Sequence, residues 1–223
     1  MAETSLRLFR IVSPPFAENT YIAHLQGRRD CLVIDPGLDP ESILAELAEN
    51  ELTPAAILNT HGHADHIAGN AALKGRWPDC PLVIGRGDAA LLTDPELNLS
   101  AAFGVGVVSP PADVLVEHAQ TYSEAGFDLD VFEIPGHSPG HVVFVWRGET
   151  PAHVFGGDVL FEGGVGRTDF PGGDLGTLSR GIHRHLFTLP EDTIVLPGHG
   201  DSTTVGEEKR SNPFVGVPAG YRG

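Results

Sequence analysis

The chain opens with short apolar runs separated by polar turns, a pattern that predicts β-strands. Helical spacing first appears after Pro40, where Ile43 and Leu47 fall on one face and the proline suits the first helical turn. A second helix is predicted from about residue 64 toward residue 73. The predicted strands of this part are residues 6–11, 20–25, 31–35 and 55–58.

Beyond residue 85 the pattern is less regular, and residues 86–112 are predicted to form a helix plus a flexible cover over a site. The remaining predicted elements are strands at 131–134, 141–146, 153–155 and 193–196 and a helix at 177–187. Strands in groups with interspersed helices indicate sheets covered by helices, in an α/β or α+β layered fold. Without a repeat, low-complexity tract or linker, residues 1–223 are expected to form a single domain.

Composition narrows the possible partners. The formal net charge of −16 disfavours a nucleic-acid backbone, which requires a face rich in Lys and Arg. No stretch approaches the roughly 18 apolar residues of a membrane span, and the N-terminus lacks an apolar signal core. We therefore expect a soluble cytoplasmic protein with neither a nucleic-acid nor a membrane partner. Cys31 opens an apolar run and is expected in the core, and no disulfide with Cys80 is expected.

Metal-ligand chemistry is concentrated in three short motifs that hold five of the eleven histidines. Thr60 is followed by an HxHxDH cluster, and two separate Pro-Gly-His turns occur further along the chain. A lone acid, Asp158, follows two glycines between those turns. Imidazole and carboxylate groups hold zinc and iron, and seven of them suffice for two ions that share one carboxylate. The candidate ligands are His61, His63, Asp65, His66, His137, Asp158 and His199.

The isolated candidates His137, Asp158 and His199 are assigned as ligands because the HxHxDH cluster needs further ligands. His61 and His63 point to one side if the backbone is extended there, so they can grip one metal, while Asp65 and His66 on the following turn can face a second. A lone histidine in a turn is usually structural. The histidines outside the motifs are not expected to be ligands: His24, His118, His141, His153, His183 and His185. For His141 two roles stay open: it orients a ligand or substrate, or it packs at the start of a strand.

Such a site predicts hydrolysis. Bound zinc lowers the pKa of water from about 15.7 to about 7, which at about 1.36 kcal/mol per unit is on the order of 12 kcal/mol in favour of hydroxide. A hydroxide bridging the two metals is then the expected nucleophile, and Asp65 can bind the second metal and hold that hydroxide by a hydrogen bond. No obvious general acid lies near the motifs. This favours a thioester, since a thiolate with a thiol pKa of about 8.5 leaves without strong acid assistance.

The ordered ligand set resembles the dinuclear hydrolases of the metallo-β-lactamase superfamily, and the resemblance spans nearly the whole chain. Within that superfamily the sequence is most similar to short bacterial glyoxalase II-like hydrolases (hydroxyacylglutathione hydrolase-like). The segments that carry this similarity are Gly-Asp-Val-Leu-Phe at 157–161, Gly-Arg-Thr-Asp-Phe at 166–170, Pro-Gly-His-Gly at 197–200 and Thr-Thr-Val-Gly-Glu-Glu at 203–208.

The resemblance implies a four-layer αββα sandwich with two metals at one edge, between the sheets. It implies a small-molecule substrate, a glutathione thioester such as S-lactoylglutathione, and two divalent ions, zinc first, with iron or manganese as alternatives. Antibiotic-hydrolysing members commonly carry cysteine or serine in place of Asp158, so β-lactamase activity is not expected. The implied ligands are His61, His63 and His137 for metal one, and Asp65, His66 and His199 for metal two, with Asp158 bridging.

One departure concerns the substrate. Full-length glyoxalase II carries a C-terminal helical extension that helps bind glutathione, and too few residues follow His199 here to form it. Arg167, Lys209 and Arg210 are therefore the candidates to meet substrate carboxylates, with ordinary surface ion pairing as the alternative. Phe161 and Phe170 are expected to pack in the core rather than line the pocket.

Other functions remain open on the sequence. Persulfide dioxygenases share this fold and the Gly-Arg-Thr-Asp-Phe segment, but bind one iron through the counterparts of His61, His137 and Asp158. Their last histidine is usually followed by an acid and a tyrosine, whereas Gly200 follows His199 here, as in the hydrolases. A di-iron electron-transfer module usually comes fused to a flavin domain, and a nucleic-acid-processing member is disfavoured by the charge. Two metals per chain would support hydrolysis, and one iron would support dioxygenation.

Overall fold

A computed structural model describes residues 5–223 and contains two six-stranded sheets. The first sheet follows chain order, antiparallel over its first three strands and parallel over the rest. Its strands are β1 (Leu6–Ser13), β2 (Glu18–Leu25), β3 (Asp30–Ile34), β4 (Thr53–Asn59), β5 (Leu82–Gly85) and β6 (Val114–Val116).

The second sheet contains β7 (Thr121–Glu124), β8 (Phe127–Glu133), β9 (Val142–Trp146), β10 (His153–Gly157), β13 (Ile194–Pro197) and β14 (Thr203–Thr204). Its spatial order is β14-β13-β10-β9-β8-β7, and only β10 and β13 pair in parallel. A small hairpin of β11 (Leu160–Phe161) and β12 (Gly164–Val165) follows β10.

Helices cover the outer faces of both sheets. They are α1 (Pro40–Glu49), α2 (Ala64–Ile67), α3 (Asn70–Arg76), α4 (Leu175–Gly181) and α5 (Val205–Ser211), with a π turn at Ile182–Leu186 and 3-10 turns at Arg86–Leu92, Ala101–Phe103 and Val217–Ala219. The α1 helix begins as its sequence predicts: Pro40 occupies the first turn, and the Asp39 side chain accepts a hydrogen bond from Ser42 N at 3.1 Å.

The central core lies between the sheets. In β8, Phe127, Leu129 and Val131 are fully buried and alternate with more exposed residues, as expected of a strand with one face inward. The β3 strand is instead apolar on both faces, because Ile43 and Leu47 of α1 cover its outer side. A matching cluster joins α4 to the outside of the second sheet. These layers confirm the αββα sandwich.

The structure also corrects the predicted helices. The helix predicted from 64 toward 73 is broken into α2 and α3 at Gly69, whose N–H donates to Pro36 O at 2.8 Å. A side chain there would lie 2.9 Å from the Pro36 ring, so the contact with the Asp35-Pro36-Gly37 turn requires glycine. The helix predicted at 177–187 begins earlier, at Leu175, and its second half is the π turn.

Several elements were missed by the sequence pattern. They are short, and the neighbouring sheet supplies much of what stabilises them: β5, β6, β7, the β11–β12 hairpin, β14 and α5. Residues 86–112 contain two 3-10 turns rather than an α-helix. Cys31 and Cys80 are both buried and free, so the expectation of no disulfide is confirmed. Among residues 5–223, none of the helices has the length and apolar character needed to cross a membrane.

Candidate metal centre

The predicted ligands meet at one end of the sandwich, where loops follow the carboxyl ends of strands. His61 follows β4 of the first sheet, whereas Asp158 and His199 follow β10 and β13 of the second. Backbone hydrogen bonds tie the sheets together at this end, including Val142 N to Thr60 O at 2.8 Å. The chain therefore brings distant motifs together on rigid supports.

Three imidazoles form the first part of the site, which we call half one: His61, His63 and His137. One ring nitrogen from each lies within 4.8 Å of the others, and all three residues are buried. His63 Nδ1 lies 2.9 Å from His137 Nε2, and among the described residues nothing hydrogen-bonds to His61 Nε2. Nitrogen lone pairs that converge in a buried space fit a cation.

A second group, half two, consists of Asp65, His66 and His199, whose ligand atoms also lie within 4.8 Å of one another. His66 Nε2 is 3.3 Å from His199 Nε2, and His199 Nε2 is 3.4 Å from Asp65 Oδ2. Half two therefore combines two imidazoles with one carboxylate, a donor set that suits zinc, iron or manganese.

Asp158 lies between the two halves. Its Oδ2 atom is 3.5 Å from His137 Nε2 in half one and 3.6 Å from His199 Nε2 in half two. Its Oδ1 atom is 3.5 Å from His66 Nε2 and, within residues 5–223, accepts no hydrogen bond. The structure thus brings all seven predicted ligands together, with Asp158 between the two halves.

The outer ring nitrogens fix how the imidazoles face. Four of the five histidines bond through Nδ1 to an oxygen outside the site, which leaves Nε2 directed inward. The acceptors are Thr60 Oγ1 for His61 at 3.1 Å, Asp35 Oδ2 for His66 at 3.1 Å, Arg167 O for His137 at 2.9 Å and Phe16 O for His199 at 3.1 Å.

Asp35 is one functional residue that the sequence analysis treated only as part of a turn. Its carboxylate accepts hydrogen bonds from Thr60 N and Thr60 Oγ1, both at 2.7 Å, and from His66 Nδ1. Because Thr60 Oγ1 donates to Asp35, it accepts from His61 Nδ1. One buried carboxylate thereby orients a ligand in each half. Its φ of +48° is rare outside glycine and asparagine, and only the structure reveals it.

Asp88 is a second residue without a sequence signal, since it lies in the irregular 86–112 segment. It is fully buried and accepts hydrogen bonds from Gly62 N at 3.0 Å, Ser138 Oγ at 2.6 Å and Gly140 N at 2.5 Å. Burial raises its pKa, although these three donors act in the opposite direction. Asp88 therefore joins the loop that carries His61 and His63 to the loop that carries His137.

His141 lies beside the ligands. Its Nε2 atom accepts a hydrogen bond from Asp158 N at 3.0 Å, and its ring stacks on His61 with centroids 4.7 Å apart. Burial lowers the pKa of His141, which keeps that nitrogen available as an acceptor. The sequence left two roles open for His141, orienting a ligand and packing at the start of a strand. The structure shows both a hydrogen bond to a candidate ligand, Asp158, and packing against His61.

The two halves differ in electrostatics. Burial and neighbouring imidazoles lower the pKa of His61, and burial with His137 lowers that of His63 to about 3. Burial also opposes a charge on His66, but Asp65, Asp158 and Asp35 outweigh it and raise its pKa. For Asp65, burial is outweighed by His66 and His199, so its pKa falls. His61 and His63 of half one are thus held neutral, whereas half two contains an ionised carboxylate, Asp65.

A cavity of about 400 Å³ opens onto the metal centre. Arg167 contributes to its lining and also donates two hydrogen bonds to Asp169, both at 2.7 Å. Lys209 and Arg210 of α5 do not line it, and Arg210 pairs with Glu191 at 3.3 Å and Glu207 at 3.2 Å. Phe161 and Phe170, expected in the core, line this cavity, because the hairpin and the loop after it pass beside the site. Its lining residues outside the ligand set are Phe16, Ala64, Asn98, Leu99, Phe103, Phe161, Val165, Arg167 and Phe170.

Known proteins are similar to this chain over most of its length. The chain is 41% identical to "Probable metallo-hydrolase YqgX" of Bacillus subtilis over 90% of its length and 93% of that protein. It is 36% identical to "Hydroxyacylglutathione hydrolase GloC" of Haemophilus influenzae, over 84% of its length and 88% of the relative.

Solved structures are also similar to this chain over most of its length. The BLEG-1 B3 metallo-beta-lactamase superposes with a TM-score of 0.89 at 37% identity, covering 94% of this chain and 99% of that one. TTHA1623 in a di-iron-bound form gives 0.80 at 39% identity, with coverages of 92% and 99%. ETHE1 from Myxococcus xanthus gives 0.78 at 30% identity, with coverages of 95% and 85%.

The family model of the metallo-beta-lactamase superfamily matches residues 13–199, a range that includes every candidate ligand. The chain belongs to the metallo-beta-lactamase superfamily.

Proposed function

We propose that this metal-dependent hydrolase binds two divalent ions and cleaves thioesters, with a glutathione thioester such as S-lactoylglutathione as the first substrate to test. The supporting observation is the position of Asp158, within 3.6 Å of imidazole nitrogens from both halves. A carboxylate placed between two ligand groups is suited to bridging two ions. Zinc is the first expectation; iron is supported by the di-iron form of a structural relative.

Two divalent cations bound here would supply a nucleophile at neutral pH and polarise the attacked carbonyl. The protein's own contribution is orientation and charge. Asp35 holds His66 directly and His61 through Thr60, so both Nε2 atoms are fixed before an ion binds. Asp65 stays ionised because, against the effect of burial, His66 and His199 lower its pKa, so it can act as a hydrogen-bond acceptor.

The nature of the leaving group favours a thioester. The side chains lining the described cavity include Asp65 and Asp158 as acids, but no lysine, tyrosine or cysteine. Asp65 does not serve as a general acid at neutral pH, because its pKa is lowered. A thiolate leaves without protonation, since its conjugate acid has a pKa of about 8.5. The similarity to the hydroxyacylglutathione hydrolase points to the same class of substrate.

A second candidate function is dioxygenation of a glutathione persulfide by one iron. The structural likeness to ETHE1 from Myxococcus xanthus, together with the resemblance noted in the sequence, supports this alternative. Gly200 after His199 favours the hydrolase. The two candidates differ in metal number, since a mononuclear site needs only part of the ligand set.

The deciding experiment combines metal analysis of the purified protein with assays on S-lactoylglutathione, on glutathione persulfide under oxygen and on a β-lactam. Two ions per chain and hydrolysis of the thioester support the proposal. One iron per chain with oxygen consumption on the persulfide would replace it with the dioxygenase. The β-lactam is included because the chain is similar to the BLEG-1 B3 metallo-beta-lactamase. Cleavage of the β-lactam alone would contradict the thioesterase proposal.

A further inference from the structure

The cavity beside the metal centre has two chemically different sides. On the His199 side, Phe16 O accepts from His199 Nδ1, and the Phe161 ring centroid is 6.2 Å from that of His199. On the His137 side, Arg167 O accepts from His137 Nδ1. We call the four apolar lining residues Phe16, Leu99, Phe103 and Phe161 the apolar wall. Phe16 and Phe161 lie beside His199, whereas Leu99 also borders a smaller cavity together with His63 and Phe170.

The apolar wall is exposed in a way that is unusual for aromatic residues. Phe16 and Phe103 are 45% and 61% exposed, and their rings meet edge to face with centroids 5.6 Å apart. An exposed apolar cluster at the mouth of a cavity indicates a surface that becomes covered by a ligand. The wall faces the metal centre, so the covering group belongs to the substrate.

Leu99 strengthens this interpretation, because its backbone is strained. Its φ is +70°, in the left-handed region that leucine rarely adopts. The flanking residues hold it there: Asn98 donates through Nδ2 to Leu91 O and Val107 O, and Ser100 N donates to Asn98 Oδ1. Strain of this kind persists when surrounding bonds enforce it, and it marks functional positions.

The strained segment is also attached to the metal centre. Ala64 N, between two candidate ligands, donates to Asn98 O at 3.1 Å. The hydrogen bonds of Asn98 therefore fix Leu99 at a set position relative to the candidate ligands His63 and Asp65. A flexible lid would not need this attachment, so the wall is a preformed surface.

Charge distinguishes which part of a thioester meets each side. Within residues 5–223, Arg167 is the one cationic Lys or Arg side chain in the cavity lining, and it stacks on Phe170 at 3.9 Å from the ring centroid. A glutathione moiety carries carboxylates that need such a cation. The side chains of the apolar wall offer no charged partner for a carboxylate. The acyl group therefore lies against the wall.

We propose that the apolar wall is an acyl-binding site and that the substrates are thioesters of apolar acyl groups with several carbons, rather than of the small polar lactoyl group. This inference rests on the thioester hydrolysis proposed above, and it adds the identity of the acyl group. Leu99 is then a specificity-determining residue, set in place by the Asn98 hydrogen bonds.

The test is an acyl series on two thiols. Acetyl, lactoyl and hexanoyl thioesters of glutathione are compared with the same esters of the neutral thiol N-acetylcysteamine, using the metal-loaded protein of residues 1–223. We expect kcat/KM for hexanoyl to exceed that for lactoyl by about tenfold or more on both thiols, since each methylene in an apolar pocket contributes roughly 10-fold or more. Equal rates for hexanoyl and lactoyl on both thiols would overturn the acyl site and leave the hydrolase intact.

Two variants separate specificity from folding. Leu99→Gly removes the side chain and the backbone strain together, so we expect unchanged or higher thermal stability with about a tenfold loss of hexanoyl preference. Leu175→Ala, at a 43% exposed leucine away from the cavity, is the control and should keep that preference. A Leu99→Gly protein that loses lactoyl and hexanoyl hydrolysis equally would overturn the proposal. If the unaltered protein cleaves no thioester at all, the proposed function fails and this inference fails with it.

Discussion

The two halves of the candidate metal centre differ in burial and in charge. Half one consists of three buried imidazoles, and the low pKa values of His61 and His63 keep these two neutral. Half two contains an ionised carboxylate, and the side chains of Asp65 and His199 are 20% and 26% exposed. Half one is held in shape by burial and by Asp88. Half two attracts its ion by charge and lies closer to solvent, which is where a substrate arrives.

The largest effect is expected from Asp158→Asn, because this carboxylate lies within 3.6 Å of imidazole nitrogens from both halves and is proposed to bridge two ions. Both ions should be lost together, and hydrolysis should fall by more than about 100-fold, beyond the 10- to 100-fold typical of residues behind the ligands. Metal analysis and thioester assays measure this. Asp79→Asn, at an exposed acid far from the site, is the control. Loss of a single ion with activity retained would contradict the bridging role.

His66→Ala should separate the halves. His66 belongs to half two, so the variant should keep about one ion per chain, held by half one, and lose most of its activity. Titration with one ion at a time, followed by calorimetry, measures the two affinities separately. If both affinities fall by the same factor, the division into halves is incorrect.

Asp88→Asn tests whether half one depends on the clamp between its loops. The amide cannot accept from all three donors as the carboxylate does, so affinity at half one should fall about 10- to 100-fold while half two changes less. Ser138→Ala removes a single hydrogen bond to Asp88 and should have a smaller effect. Circular dichroism confirms that both variants fold. An equal decrease at both halves would show that Asp88 supports the fold and not half one.

The smallest effect is expected on thermal stability, when a chelator removes the metal. The ion of half two should leave first, because its ligands are more exposed, and release should occur in two phases. At a free metal concentration about 100 times Kd, an ion stabilises the folded state by about 2.7 kcal/mol, so losing one should lower Tm by about 5–10 °C. His66→Ala should lack the fast phase. Release in a single phase from the unaltered protein would contradict the expectation that the two halves lose their ions at different rates.

Much of the fold was predictable because its signals are local. The continuous apolar run at Cys31 predicts a strand, which forms β3, and the helix start predicted at Pro40 is confirmed. The short strands β5 to β7 carry little pattern of their own, since three or four residues cannot show a reliable period. The break at Gly69 depends on contact with Pro36, which lies far away in sequence.

The sequence by itself determined the seven candidate ligands, because imidazole and carboxylate groups at these spacings are typical metal ligands. The order of the same residues along the chain indicated the superfamily by resemblance. Only the tertiary structure decided that His61 and His63 have lowered pKa values and that Asp65 stays ionised. It alone identified Asp35, Asp88 and the apolar wall, and it excluded Lys209 and Arg210 from the cavity lining. The physical reason is that burial, pKa and hydrogen bonding depend on groups brought together from distant parts of the chain.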